Sequence, residues 1–213
     1  MGWVEDRETL VEKLKSEGYI KSEAVEKAML NVRRHEFIPE WQKVQAYRDV
    51  PLFIGHGQTI SAPHMVAMMT ENLDLEEDSK VLEIGAGSGY QAAIIAEIVT
   101  KGRIHSIERI SELVDLAQWN LGRAGYKNVQ VTYGEGSKGY EEESPYDRII
   151  VTAGAPRIPS ALFEQLKEGG KMLIPVGGRT YQELKLVRNK GNKMLVENLG
   201  GCMFVPLVGD DGW

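Results

Sequence analysis

VLEIGAGSGY, Val81 to Tyr90, decides the fold. A short apolar run meets three glycines, and a helical apolar run, QAAIIAEIV, follows from Gln91. An apolar stretch of this length bounded by glycine reads as a buried strand, and the glycines as a tight turn into a helix. Such a turn lets backbone N–H groups approach a ligand closely at a helix start.

The same alternation continues outward. RIHSIE (103–108) reads as a strand, and SELVDLAQWNLGRAG (111–125) as a helix with Ser111 as cap and Gly125 as stop. VQVTY (129–133) and YDRIIVTAG (146–154) read as strands, PSALFEQLKEGG (159–170) as a helix and KMLIPVG (171–177) as a strand. Strands alternating with helices predict a parallel sheet covered on both faces. QELKLVRNKGNKMLVENL (182–199) reads as a hairpin turning at 189–192, and GCMFVPLVG (201–209) as one more short strand. Toward the N-terminus, Leu10, Val11 and Leu14 mark a helix over 5–17 that stops at Gly18. Ser22 opens a second over 22–32. The expected fold is α/β: a Rossmann-like, doubly wound, mostly parallel sheet with an antiparallel C-terminal edge and a helical N-terminal extension. One domain is expected over 1–213, with 1–50 the extension, read as a lid over the ligand, and 51–213 the core with its hairpin.

Composition bounds the function. The chain has 213 residues, 25 basic against 31 acidic, for a formal net charge of −6. That balance disfavours nucleic acid and anionic membrane as partners. No stretch approaches the roughly 18 apolar residues of a membrane span, and the first residues carry no apolar signal-peptide core. The lone Cys202 forms no internal disulfide, which suits a cytoplasmic setting. A monomer is expected. His56 and His64 belong to no H-E-x-x-H or Cys pair, so no metal site is expected.

The glycine spacing chooses among ligands. The dinucleotide fingerprint G-x-G-x-x-G fits Gly85 and Gly87 but meets Tyr90 at its third glycine position. The E-x-G-x-G-x-G spacing from Glu83 to Gly89 instead resembles the first motif of S-adenosylmethionine-dependent methyltransferases. In that motif Glu83 serves the cofactor's amino-acid end, often through water. Glu108 ends the second strand of the unit, 19 residues after Gly89, where an acid accepts hydrogen bonds from ribose hydroxyls. Glu135 and Gly136, after the third strand, face the adenine side. Gly85, Gly87 and Ser88 belong to the turn itself.

Ser61, in GHGQTISAPHMVAMM (55–69), supports two readings. It precedes Ala62 and Pro63 and a periodic Met65, Met68, Met69 and Leu73, as an N-cap serine would. A helix start with free N–H groups is also a carboxylate site. Neither Ser61 nor Ser88 lies in the G-x-S-x-G of a serine hydrolase.

GQTISAPHMVA (57–67), VLEIGAGSGY, IERI (107–110), GEGSKGY (134–140), PYDRIIVTAGAP (145–156), LKEGGKMLIPVG (166–177) and FVPLVG (204–209) together resemble the protein-L-isoaspartate O-methyltransferase family. The resemblance covers the chain from about residue 45 to the end, and TISAPHM is its most restricted motif. It implies a class I methyltransferase that uses S-adenosylmethionine, releases S-adenosylhomocysteine and methylates the α-carboxylate of L-isoaspartyl residues in damaged proteins and peptides. The ester then favours succinimide formation, which begins repair. It implies Ser61 as the active-site serine and Gln58, Thr59 and Ile60 beside the methionine end of the cofactor. It implies Val205, Pro206 and Leu207 along the substrate peptide; the plainer alternative for them is an edge strand that tolerates proline. His64 is a candidate substrate contact against a structural role. Glu135 stands where aspartate is usual, and Val208 where some relatives carry a hydroxyl residue. The runner-up reading keeps the cofactor and changes the acceptor to a small-molecule carboxylate or RNA. A non-catalytic cofactor-binding module is a further alternative.

Overall fold

Lys80–Ile84 is an interior strand of the sheet, with a parallel neighbour on each side. The computed structural model describes residues 2–213. In chain order the helices are α1 (Trp3–Ser16), α2 (Glu23–Asn31), α3 (Pro63–Leu73), α4 (Tyr90–Ile98), α5 (Ser111–Ala124) and α6 (Ser160–Glu164). The strands are β1 (Leu52–Gly55), β2 (Gln58–Ile60), β3 (Lys80–Ile84), β4 (Arg103–Glu108), β5 (Val129–Tyr133), β6 (Tyr146–Val151), β7 (Leu166–Gly177), β8 (Gln182–Lys190) and β9 (Lys193–Cys202). Among the described residues β1 and β2 form a small hairpin sheet, and the others a seven-stranded sheet of order β5-β4-β3-β6-β7-β8-β9.

The pairs from β5 to β7 are parallel, and β7–β8 and β8–β9 are antiparallel. The strand order reverses between β3 and β6, and crevices in open α/β sheets lie beyond the carboxyl ends at such a switch point. Here those ends are Ile84 and Val151. One apolar core lies between the sheet and α1, α2 and α4, with Leu14, Met29, Phe37, Ile94 and Ile95 buried. A second holds Leu82, Ile149, Val151, Leu162 and Met172.

Local chemistry explains several element ends. Ser22 caps α2 by accepting from the Val25 N–H at 3.3 Å. Gly125 ends α5 in the left-handed region, φ +88°. A Cβ there meets nothing within 4 Å, so Gly125→Ala tests backbone strain alone. It is expected to cost about 1 kcal/mol and to lower the melting temperature by about 2–4 °C. An unchanged melting curve would contradict the strain. The β8–β9 turn uses Gly191 and Asn192, φ +61° and +57°, the two positive angles of a tight hairpin.

Several expectations need correction. Ser111 does not cap α5; Ile110 is its cap residue, and the Ser111 hydroxyl bonds Glu112. The helix expected over 159–170 ends at Glu164, because Gln165 is drawn to the sheet. Its carbonyl accepts from the Tyr146 N–H at 2.8 Å, and its amide bridges the Tyr140 N–H and the Lys138 carbonyl. Residues 201–209 are not a strand of their own: Gly201 and Cys202 end β9. Beyond the end of β9 they make one parallel bridge, Gly154 to Pro206. The first third carries the β1–β2 hairpin as well as helices and loops. The N-terminal helices are no lid: α2 packs on α4, and no described residue of 1–50 lines the cavity described next.

Candidate active site

Three positive φ angles shape the loop after β3: Gly85 +95°, Gly87 +55° and Gly89 +85°. A Cβ on Gly85 would overlap the Thr152 Oγ1, and one on Gly89 would sit 3.0 Å from Leu121. Glycine is therefore required twice over, by angle and by space. Beyond the loop opens a concave cleft lined by apolar side chains and a few polar groups, the character of a small-molecule site. Its walls come from 58–61, the glycine loop, 108–110, Gly136, 152–153 and 205–208.

The three acids diverge. Glu108 lines the cavity, and its two oxygens accept from the Gly87 N–H and the Ile110 N–H, each at 3.0 Å. A carboxylate has about four acceptor sites, so it retains capacity for two hydroxyl groups. Glu83 does not line the cavity. It is fully buried in β3, accepts from the Ser106 hydroxyl, and its Oε1 has no partner among the described residues. Glu135 does not line it either; its Oε1 turns back to accept from the Ser137 N–H at 2.8 Å and hydroxyl at 2.5 Å. Gly136 alone of that pair reaches the wall.

Burial pushes the Glu83 carboxyl up to about 8; the Ser106 hydrogen bond opposes the rise and the Glu108 charge adds to it. The folded state thus binds this proton more tightly than the unfolded chain, whose value is near 4.5. Its stabilising contribution is complete below about pH 4.5 and is lost as pH rises to about 8. Glu83→Gln is expected to flatten the pH dependence of the urea midpoint across that window and to raise the midpoint above it. An unchanged slope would contradict a neutral Glu83.

Ser61 is not the cap of α3. The cap residue is Ala62, with Pro63 in the first turn and no side-chain cap bond from either. Asp49 takes that work: its Oδ1 accepts from the His64 N–H at 2.9 Å. Met65 and Val66 N–H groups bond the Ala62 carbonyl, and Pro63 has no N–H. The helix start therefore offers no free amide of those residues, and the expected anion site there is not formed. The Ser61 hydroxyl has no hydrogen-bond partner among the described residues.

A second cavity adjoins the first, lined by Pro51, Ser61, His64, Met65, Cys202 and Phe204 among others. Thr59, Ser61, Thr152 and Val205 belong to both walls. Ser61 thus stands where the cavities meet. His64 lines only the second, with Nδ1 2.9 Å from Asp49 Oδ1. Gln58, Ile60, Gly85, Gly87 and Ser88 line the first. So do Pro206, Leu207 and the apolar Val208. The 205–207 segment is not a free edge on both sides: Val205 O and Leu207 N bond Gly154. Thr152 and Asp49 escape the sequence reading. Thr152 follows the end of a crevice strand, a position the switch-point rule marks. Asp49 carries no local signal. Cys202 is half-buried and its thiol is pushed up to about 11 by burial, which makes it a poor nucleophile.

Among the described residues no group of three or more His, Cys, Asp or Glu side chains has a metal-binding arrangement. No described helix is long and apolar enough to cross a membrane.

Known proteins share this architecture. The family described as Protein-L-isoaspartate(D-aspartate) O-methyltransferase matches residues 5–212. The protein-L-isoaspartate O-methyltransferase of Methanopyrus kandleri is 58% identical over 210 residues, covering 97% of this chain and 93% of its own. That of Pyrococcus horikoshii is 56% identical over 205 residues, covering 95% and 93%. A solved structure described as this methyltransferase from Plasmodium falciparum, in complex with S-adenosyl-L-homocysteine, matches with a TM-score of 0.85. Its identity is 31%, over 95% of this chain and 98% of that one.

Proposed function

The chain belongs to the protein-L-isoaspartate(D-aspartate) O-methyltransferase family, and from that premise we propose how its residues move a methyl group from S-adenosylmethionine to the α-carboxylate of L-isoaspartyl residues. The cavity fits the cofactor on three observations: a loop whose three glycines bring backbone to its wall, the spare acceptor capacity of Glu108, and apolar walls at Ile84, Ile107 and Leu207. In the fold's usual division, Glu108 holds the ribose, Gly136 borders the adenine, and Gln58, Thr59 and Ile60 flank the methionine end. Glu83 acts from behind the loop, through water or backbone. When bound, S-adenosylmethionine supplies an electrophilic sulfonium methyl group.

The acceptor needs no base. A free α-carboxyl has a pKa of about 3.3–3.7, so it is ionised at neutral pH. What remains for the chain is placement. Ser61 donates its hydroxyl to one carboxylate oxygen and leaves the other to attack. The observation that carries this reading is the position of Ser61, unbonded, at the junction of the two cavities. His64 and Val205 border the substrate side, and Pro206 and Leu207 meet it from the cofactor cavity. One methyl ester and one thioether form while a carboxylate and a sulfonium are consumed, so opposite charges disappear together.

An isoaspartyl peptide tests the acceptor. With a free α-carboxylate it is expected to gain one base-labile methyl ester; with that carboxylate amidated it gains none. Equal methylation of both forms would sink the carboxylate reading. A monomer acting in the cytoplasm without nucleic acid is consistent with the net charge of −6 and the lone cysteine. Residues 1–213 act as one methyltransferase unit, with the 1–50 segment sharing the core of α4.

A further inference from the structure

We propose that Asp49 is a positioning residue for the methyl acceptor: it caps α3 in place of Ser61, and it fixes the His64 ring so that Nε2 accepts a main-chain N–H of the substrate peptide. The proposal rests on the reading of the second cavity as the acceptor site.

One oxygen, Asp49 Oδ1, receives both the backbone N–H of His64 and its ring Nδ1, each at 2.9 Å. The first bond satisfies an orphan amide in the opening turn of α3. Because Asp49 supplies it from fifteen residues upstream, Ser61 is released from the duty its sequence suggests. The second bond sets the tautomer. A carboxylate accepts only, so Nδ1 carries the proton and the neutral ring presents Nε2 as an acceptor. Nε2 has no protein partner among the described residues, and His64 lines the cavity that Ser61 also borders. A substrate peptide offers main-chain N–H groups beside its carboxylate, which is the donor such a nitrogen needs.

The segment that carries Asp49 is anchored. The fully buried Arg34 donates from Nη2 to the Val50 carbonyl at 3.3 Å, and its guanidinium lies 5.0 Å from the Tyr90 ring centroid. Tyr90 opens α4 directly after the glycine loop. The Asp49 side chain is only 15% exposed. Asp49 therefore stands on a packed support, which an orienting residue requires.

Long-range ¹H–¹⁵N correlation spectra read the ring tautomer directly. The chain has 4 histidines, and His64→Gln assigns the signal. Wild type is expected to show Nδ1–H at His64, and Asp49→Ala to lose that preference. In steady-state kinetics Asp49→Ala and His64→Gln are each expected to raise the KM for an isoaspartyl peptide by about tenfold, the loss of one hydrogen bond. Asp49→Asn, which keeps an acceptor oxygen, is expected to recover most of it. The double variant Asp49→Ala/His64→Gln should be no worse than Asp49→Ala alone, since both remove one interaction. S-adenosylhomocysteine affinity, read by calorimetry, stays within about twofold in each variant, a neutral change on the free-energy scale. If Asp49→Ala does not fold, the wild-type tautomer and His64→Gln decide. An Nε2–H tautomer in wild type, or an unchanged KM in His64→Gln, overturns the proposal. Failure of the Ser61 reading shows elsewhere, as a wild-type single-turnover rate in Ser61→Ala.

Discussion

Ser61→Ala is expected to slow single-turnover methyl transfer by about 10²-fold, the scale at which misplacing a reacting group by about 1 Å acts. The peptide KM should also rise, because a hydrogen bond to a charged group contributes about 1.5–3 kcal/mol. The substitution separates two roles cleanly. An N-cap serine replaced by alanine would cost about 1 kcal/mol of stability. Here Asp49 holds the His64 N–H and the Ser61 hydroxyl bonds nothing among the described residues. Stability should therefore stay within about 0.5 kcal/mol, as for a substitution that breaks no contact. Affinity for S-adenosylhomocysteine should stay nearly intact, since the hydroxyl faces the junction with the second cavity. Rapid-quench rates, urea midpoints and calorimetry read the three quantities. A lost midpoint with an unchanged rate would return Ser61 to capping.

Glu108→Ala is expected to weaken cofactor binding by about 10²-fold. The carboxylate serves two protein partners, the N–H groups of Gly87 and Ile110 at 3.0 Å each. It is the one acid of the three that lines the wall. Its removal loses the acceptor for ribose hydroxyls, at about 1.5–3 kcal/mol per charge-assisted bond, and unties the loop that forms the cradle. Glu108→Gln should fall between. An amide keeps one acceptor but presents N–H₂ toward a backbone donor. Equilibrium titration with S-adenosylhomocysteine reads the change; an unaltered affinity would leave Glu108 as a loop tether and remove the ribose assignment.

The sheet was legible because its signals are local. Ile149–Val151 is a continuous apolar run and Val81–Ile84 is apolar but for the buried Glu83, as strands covered on both faces require. Gly85, Gly87 and Gly89 announced their turn through spacing, and Gly191–Asn192 announced the hairpin. Of the two readings of Ser61, the cap reading rests on a signal that is also local, and the structure gives the cap to Ala62. The S-A-P pattern describes a cap well, yet the acceptor comes from Asp49, which the chain brings back by tertiary packing. No periodicity could report that. Ser111 failed for a related reason: a serine at a helix start is compatible with both the cap and the first-turn positions. The 201–209 segment looked like a strand by its apolar content, but Pro206 and the bonds to Gly154 limit it to one bridge. Glu83 and Glu135 carried the right spacing, and only side-chain direction, which depends on the packed structure, shows that neither faces the cavity.

The central claim is that this cavity pair methylates a displaced α-carboxylate. Two synthetic peptides, identical except for L-aspartyl or L-isoaspartyl at one position, test it most directly with radiolabelled S-adenosylmethionine. The isoaspartyl peptide is expected to take up base-labile label toward one equivalent, and its aspartyl twin to stay at background. Equal labelling of the two peptides would contradict the account.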